Sequence, residues 1–198
     1  MIARTEDGKK VILKDDGTWE EIKEVVNEDI SYDVKKVKWG MNIQNVKDSE
    51  DIELSESDSI LVGDIVLSGL KALLAYDFIN NKELYSVRYI FVNEHSDDGD
   101  FIYDYERIKK GLIQKYGSDF EDHRIFTDDL YEDIPSERGM ALGRGKLSFF
   151  SIWKTEKTEI ELSLYGDNHE IKFNLSYSGL VYKELLEKKS EESFLDDL

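Results

Sequence analysis

The chain has 198 residues, 40% hydrophobic and 12% aromatic, and its 44 acidic against 26 basic residues leave a formal charge of −18. That length and apolar content support a sizeable core without a metal or disulfide staple and exclude wholesale disorder, while the polyanionic balance makes nucleic acid and anionic membrane surfaces poor partners. The absence of cysteine excludes thiol catalysis, thiolate zinc sites and disulfides together.

No apolar run approaches the ~20 residues of a membrane span, and the opening "MIARTEDGKK" lacks the apolar stretch of a secretory leader. The chain then enters strand-like material almost at once. A periplasmic or extracellular protein with its leader removed is the favoured reading over a native cytoplasmic start.

Asp7-Gly8 and Asp16-Gly17 are turn dipeptides flanking Val11-Ile12-Leu13, with Trp19 beyond, so residues 1–29 read as a β-hairpin or small meander plus a linker. Two strands alone are marginal in water, and docking on the main body is expected. From Ile30 the apolar positions approach alternation, which predicts a strand ending at Trp39. Gly40 permits a change of direction. Asn42 is placed to cap a short helix whose apolar face is Ile43 and Val46. "DSEDIELSESDS" reads as a solvated acidic loop.

Residues 60–67, 70–78 and 85–91 predict three antiparallel strands, the last with Tyr85, Val87, Tyr89 and Phe91 on one face. A helix follows over 101–116. Tyr105, Ile108, Leu112 and Tyr116 form its stripe, acids lie early and lysines late, Glu106 and Lys110 are spaced to pair, and Gly117 ends it. In the second half, 124–126 is a short strand, 127–146 a loop with Pro135 and three glycines, and 147–153 a strand. "KTEIELSLY" and "HEIKFNLSY" form a hairpin that leaves Glu159, Glu161, Lys172 and Asn174 facing water. A charged helix over 180–189 closes the chain, with a frayed tail.

The expected fold class is therefore α+β: antiparallel β-sheet with helices packed on one face, an order that allows two helix-plus-three-strand units, and an N-terminal β-hairpin. The expected division is 1–29, an α+β domain over 30–179, and a terminal helix and tail over 180–198.

The stretch "WGMNIQNV", with Trp39, Gly40 and Val46 as its fixed points, resembles the WGM-x-x-x-x-V helix start of bacterial proteins of unknown function that are often exported or lipoprotein-like. "DGKKVILKDDGTW" is similar to a short module of other exported proteins. More distantly, the helix-then-three-strands unit resembles the outer-membrane assembly lipoprotein domain and the β-lactamase inhibitor protein fold. The resemblance implies a helix on a small antiparallel sheet and carries no functional residue across.

Each candidate for chemistry has a plainer reading beside it. Trp39-Gly40 is either a pocket wall or, the favoured reading, a core plug over a strand end. His95, His123 and His169 show no ligand spacing. "NEHSDDGDFIYDYE" suggests a calcium loop, but with Gly99 in sixth place the twelfth is Tyr105, where a bidentate carboxylate is required. Asp97, Asp98, Asp100 and Asp104 stay as candidates for calcium in a looser geometry. "GRGK" at 143–146 lacks the context of a phosphate loop and reads as a turn. Forty-four acids offer carboxylate pairs everywhere, so no pair stands out.

The leading functional reading is a non-catalytic acidic module of the bacterial envelope acting by protein–protein contact, with a sheet face or edge as the contact. The alternative is a cytoplasmic antidote masking a basic partner by charge complementarity. A hydrolase with an acidic site not apparent in the sequence is third.

Overall fold

Apolar side chains recurring at every second residue over 70–78, 160–164 and 171–177 have one physical outlet, a pleated sheet with a buried and an open face. The computed structural model contains that sheet. It describes residues 2–4, 10–13, 18–21, 32–80, 82–128, 131–167 and 170–196. The chain forms two compact units, Met1–Ser31 and Tyr32–Leu198. In the first, β1 (Ile2–Arg4), β2 (Lys10–Leu13) and β3 (Trp19–Glu21) pair in order as an antiparallel meander. The two Asp-Gly turns expected there lie outside the described residues.

The second unit is α+β. Its helix α1 (Ile43–Ser49) precedes β4 (Ser55–Ser57), β5 (Ile60–Leu67), β6 (Leu70–Ile79) and β7 (Glu83–Phe91). Helix α2 (Gly99–Tyr116) precedes β8 (Glu121–Phe126), a 3-10 turn at Pro135–Glu137, α3 (Arg138–Gly143), β9 (Leu147–Lys154), β10 (Thr158–Asp167), β11 (Glu170–Gly179) and α4 (Leu180–Asp196). The strands form one open, wholly antiparallel eight-stranded sheet in the order β4-β5-β6-β7-β11-β10-β9-β8.

That order has a two-fold pattern. Each half is a helix followed by four strands, and the last strands of the halves, β7 and β11, meet antiparallel along a central seam on which Arg88 pairs with Ser176. A half-turn about that pair exchanges Tyr89 with Tyr177 and Val87 with Leu175; through their ladder partners it exchanges Leu74 with Ile160 and Tyr76 with Leu162. The two helix-plus-three-strand units expected from the sequence are thus two helix-plus-four-strand halves of a single sheet.

The core lies between the sheet and α2. Leu74, Tyr76, Val87, Leu175, Leu162, Leu164 and Trp153 are buried on the sheet side, and Tyr105, Ile108 and Leu112 face them from the helix. The helix spacing puts these three on one stripe. Gly117, at φ +93, ends α2 by donating its N–H to Ile113 O, a backbone setting that an L-residue rarely adopts. Lys109, rather than Lys110, pairs with Glu106 at 3.0 Å, and it also reaches Asp122 at 3.3 Å.

Four expectations need correction. The strand expected to run to Trp39 is, over the described residues, a tight turn: Val34 and Val37 bridge each other and Lys35 takes φ +53. Both valines are buried, and residues three apart can share a side in a turn but not along a strand. The acidic loop after α1 contributes edge strand β4, and the side chain of its Glu50 is buried, accepting from Tyr76 Oη at 2.6 Å and pairing with Lys35 at 2.5 Å. The terminal helix runs to Asp196, beyond the expected 189.

The fourth is the loop over 127–146, which contains α3. Glycine-rich sequence disfavours a helix, yet here glycine lets α3 press on the start of α2. A methyl group on Gly139 would stand 2.7 Å from the Gly99 nitrogen, and one on Gly143 would stand 2.1 Å from Asp98 Oδ2. Backbone cannot yield as a flexible side chain can. Gly139→Ala is therefore expected to cost about 1–3 kcal/mol, measured as a lower urea midpoint with an unchanged slope.

Candidate functional site

Helices α1, α2 and α3 cover one face of the sheet. Among the described residues no helix covers the other face over β7, β11, β10 and β9 except at one end, where α4 leans over it. There Lys183 of α4 pairs with Glu159 of β10, and Leu186 closes the wall. Two adjoining hollows run along this face. The first, of 350 Å³, lies between α4 and the sheet, with Tyr85 and Glu159 at its sides. The second, of 480 Å³, is bordered by Arg88, Ile90, Phe150 and Tyr165. Glu161 and Ser176 line both.

A β-bulge explains why Tyr85 is there. Asp77 pairs with Ser86 and Phe78 with Leu84, so Tyr85 is the extra residue of β7. Leu84 takes the buried place, with no exposed surface, and Tyr85 turns to the open face. The expectation that Tyr85 shares the face of Val87, Tyr89 and Phe91 fails for this reason. One inserted residue reverses the parity of everything before it.

Rows across the strands fix the chemistry. Arg88, Ser176 and Glu161 lie side by side on β7, β11 and β10, and Ile90, Asn174, Ser163 and Phe150 form the next row. Arg88 is held from its other side: its Nε and Nη2 donate to the two oxygens of Asp77 at 2.7 and 2.6 Å. The hydrogen bond to Asp77 holds the guanidinium pKa above its usual range. Phe150 and Tyr165 stack with ring centroids 6.3 Å apart and planes 18° from parallel.

Glu161 is the exception among these charges. Among the described residues it makes no hydrogen bond and no ion pair, because Lys183 is taken by Glu159. Its pKa is raised, first by burial and then by the neighbouring Glu159 charge, with Lys183 opposing both. Glu159, Glu161, Lys172 and Asn174, expected to face water, do share the outward face of their hairpin, but α4 covers Glu159 and Glu161 is half-buried. Nothing in the sequence could separate Glu161 from the other acids, because its isolation depends on partners brought from β6 and α4.

The residues singled out by sequence lie elsewhere. Trp39 is seated against Gly179, where its Cγ would stand 3.0 Å from an added methyl, and its Nε1 donates to Thr158 Oγ1 at 2.9 Å. Gly40 has φ +83, a backbone setting that disfavours a side chain, and an added methyl would stand 2.8 Å from the Tyr182 hydroxyl. Asn42 accepts from Asn45 N at 2.9 Å and Val46 is fully buried. This stretch anchors the α1 segment to β10 and α4. It does not border either hollow.

Asp97, Asp98, Asp100 and Asp104 do not converge. Asp97 accepts from Gly99 N at 2.8 Å, and Asp98 rests against Gly143. Asp100 lies in the first turn of α2. Asp104 is buried, bonded to His95 Nε2 and Arg107 Nη2, both at 2.8 Å. Among the described residues no group of three or more acids and histidines is arranged to hold a metal ion. His123 is exposed on β8 beside Glu121, and His169 lies outside the described residues. In the "GRGK" stretch, Arg144 donates to Tyr131 Oη at 2.8 Å and Gly145 N to Leu142 O, so the stretch caps α3.

Comparison of the chain with protein-family models, curated proteins and solved structures finds no match. Among the described residues no helix is long and apolar enough to cross a membrane.

Proposed function

We propose that the protein is a non-catalytic binding module that docks another protein on the open face of its sheet. The observation that carries this reading is the hollowed, partly apolar centre of that face, which no helix covers among the described residues. An antiparallel sheet with one solvated side ordinarily keeps that side polar, yet Ile90, Phe150, Ile152 and Tyr165 stand on it, together with the two hollows. Apolar side chains ringed by serine, asparagine and paired charges form the usual anatomy of a contact surface. Two-carboxylate chemistry would need both Glu159 and Glu161 available, and Glu159 is held by Lys183.

The test is site-specific photo-crosslinking in the producing cell. A photoreactive p-benzoylphenylalanine in place of Tyr165 samples the open face. The same residue in place of Tyr103, which is 70% exposed on α2, samples the opposite side. A discrete protein adduct from the first position and none from the second is expected. No adduct, or the same adduct from both positions, overturns the reading.

A further inference from the structure

The charges around the two hollows can be balanced one by one. Arg88 is neutralised by Asp77. Lys183 is neutralised by Glu159, which Lys154 also approaches at 3.6 Å. Among the described residues that leaves one charge on the floor with no ion pair of its own: Glu161, where the hollows join. We propose that this position receives a lysine or arginine side chain of a basic protein partner, with Glu161 as its counter-ion. The inference rests on the open face being the docking surface and adds the chemistry of what docks there.

Three observations favour a cationic side chain. First, a half-buried carboxylate without a partner is costly, and its raised pKa has burial as the main cause. An arriving cation would remove that cost at low local dielectric. Second, the stacked rings of Phe150 and Tyr165 border the same hollow. Aromatic rings hold a guanidinium face or the methylene stem of lysine. Third, the whole chain carries −18, which steers a basic protein towards it and turns acidic ones away. A bare metal ion is a poorer occupant, since a single carboxylate with neighbouring hydroxyls is too few ligands. An anion meets only cations that are already paired.

The test uses the full chain, labelled with ¹⁵N, and acetyl-tri-arginine amide as the probe. Saturable shift changes are expected at the amides of Arg88, Phe150, Glu161, Ser163 and Ser176. Glu161→Gln is expected to weaken the probe about tenfold, and Asp119→Asn, an exposed acid outside both hollows, by less than about twofold. Glu161→Gln is expected to keep the fold: the carboxyl pKa is raised in the native state, first by burial, so its ionised form opposes folding above the ordinary glutamate range. The variant should therefore melt no lower than the parent at neutral pH. Shifts scattered over the acidic exterior, or equal losses in the two variants, overturn the inference. The crosslinking experiment separates it from the docking reading. If Glu161→Gln still gives the parent's adduct from position 165, the counter-ion inference falls and the docking surface stands. If position 165 gives no adduct in the parent, both fall.

Discussion

Trp153→Ala is expected to lower the unfolding free energy by about 3–5 kcal/mol, a large fraction of the roughly 5–15 kcal/mol that holds a domain of this kind folded. Trp153 is 1% exposed on β9. Its indole stacks on Phe120 with centroids 4.5 Å apart and planes 14° from parallel, and its Nε1 donates to Gly117 O at 3.1 Å. One side chain thus ties the end of α2 and the connection to β8 onto the sheet. Truncation removes apolar burial, an aromatic contact and a hydrogen bond together. Urea unfolding would show the midpoint falling with the slope unchanged. Trp153→Phe, which keeps a ring beside Phe120 but cannot donate to Gly117 O, should cost less. A loss below about 1 kcal/mol for the alanine variant would contradict the place given to Trp153 in the core.

The second large effect is alkaline unfolding. Tyr76, Tyr89, Tyr105 and Tyr177 are buried on the helix side of the sheet. Burial is the main cause of raised pKa values at all four, Tyr89 being pushed up to about 12. At Tyr76 the bond to Glu50 adds to it, and at Tyr177 the neighbouring Tyr116. The fold holds the neutral phenol, so the folded values lie above the unfolded value of about 10. Stability is therefore intact below about pH 10 and falls as pH rises through the folded values. Each buried phenol gives up about 1.4 kcal/mol per pH unit in that range, or about 5–6 kcal/mol per unit for the four, enough to unfold a domain of ordinary stability within one or two units. The phenolate absorbance should rise in two steps, the exposed tyrosines first and the buried ones together with loss of the circular dichroism signal. Tyr89→Phe, which keeps the edge contact with Tyr177, should move the second step to higher pH. Ionisation of all eleven tyrosines in one step with the fold intact would contradict this account.

Much of the scaffold was readable because its physics is local. The stripe of Tyr105, Ile108 and Leu112, the acids and lysines at the proper ends of α2, and the alternation through Ile160, Leu162 and Leu164 each report burial from spacing alone. Where the outcome depended on residues distant in sequence, the reading failed. Helix α3 exists because Gly139 and Gly143 meet Gly99 and Asp98, a contact that local propensity opposes. Tyr85 changed face because a bulge beside Asp77 shifted the register. The two-fold pattern was hidden for a related reason. Positions exchanged on the buried face keep an apolar or aromatic character, as with Tyr89 and Tyr177, while those on the open face have no such constraint: Arg88 exchanges with Ser176, and Ala75 with Glu161. The acids and cations of the candidate site were each visible, but their pairing was not.

The seam between β7 and β11 has a last implication. The paired rows of β6, β7, β11 and β10 offer a visitor two poses related by a half-turn, and α4 over one end and the bulge of β7 already tell them apart. The side chains separate them further. The half built on β6 and β7 presents the bound Arg88–Asp77 pair, and the half built on β10 and β11 presents Glu161, unpaired among the described residues and flanked by serine. Whatever settles on this surface meets a directional pattern on a symmetric frame, so it has one way round to sit.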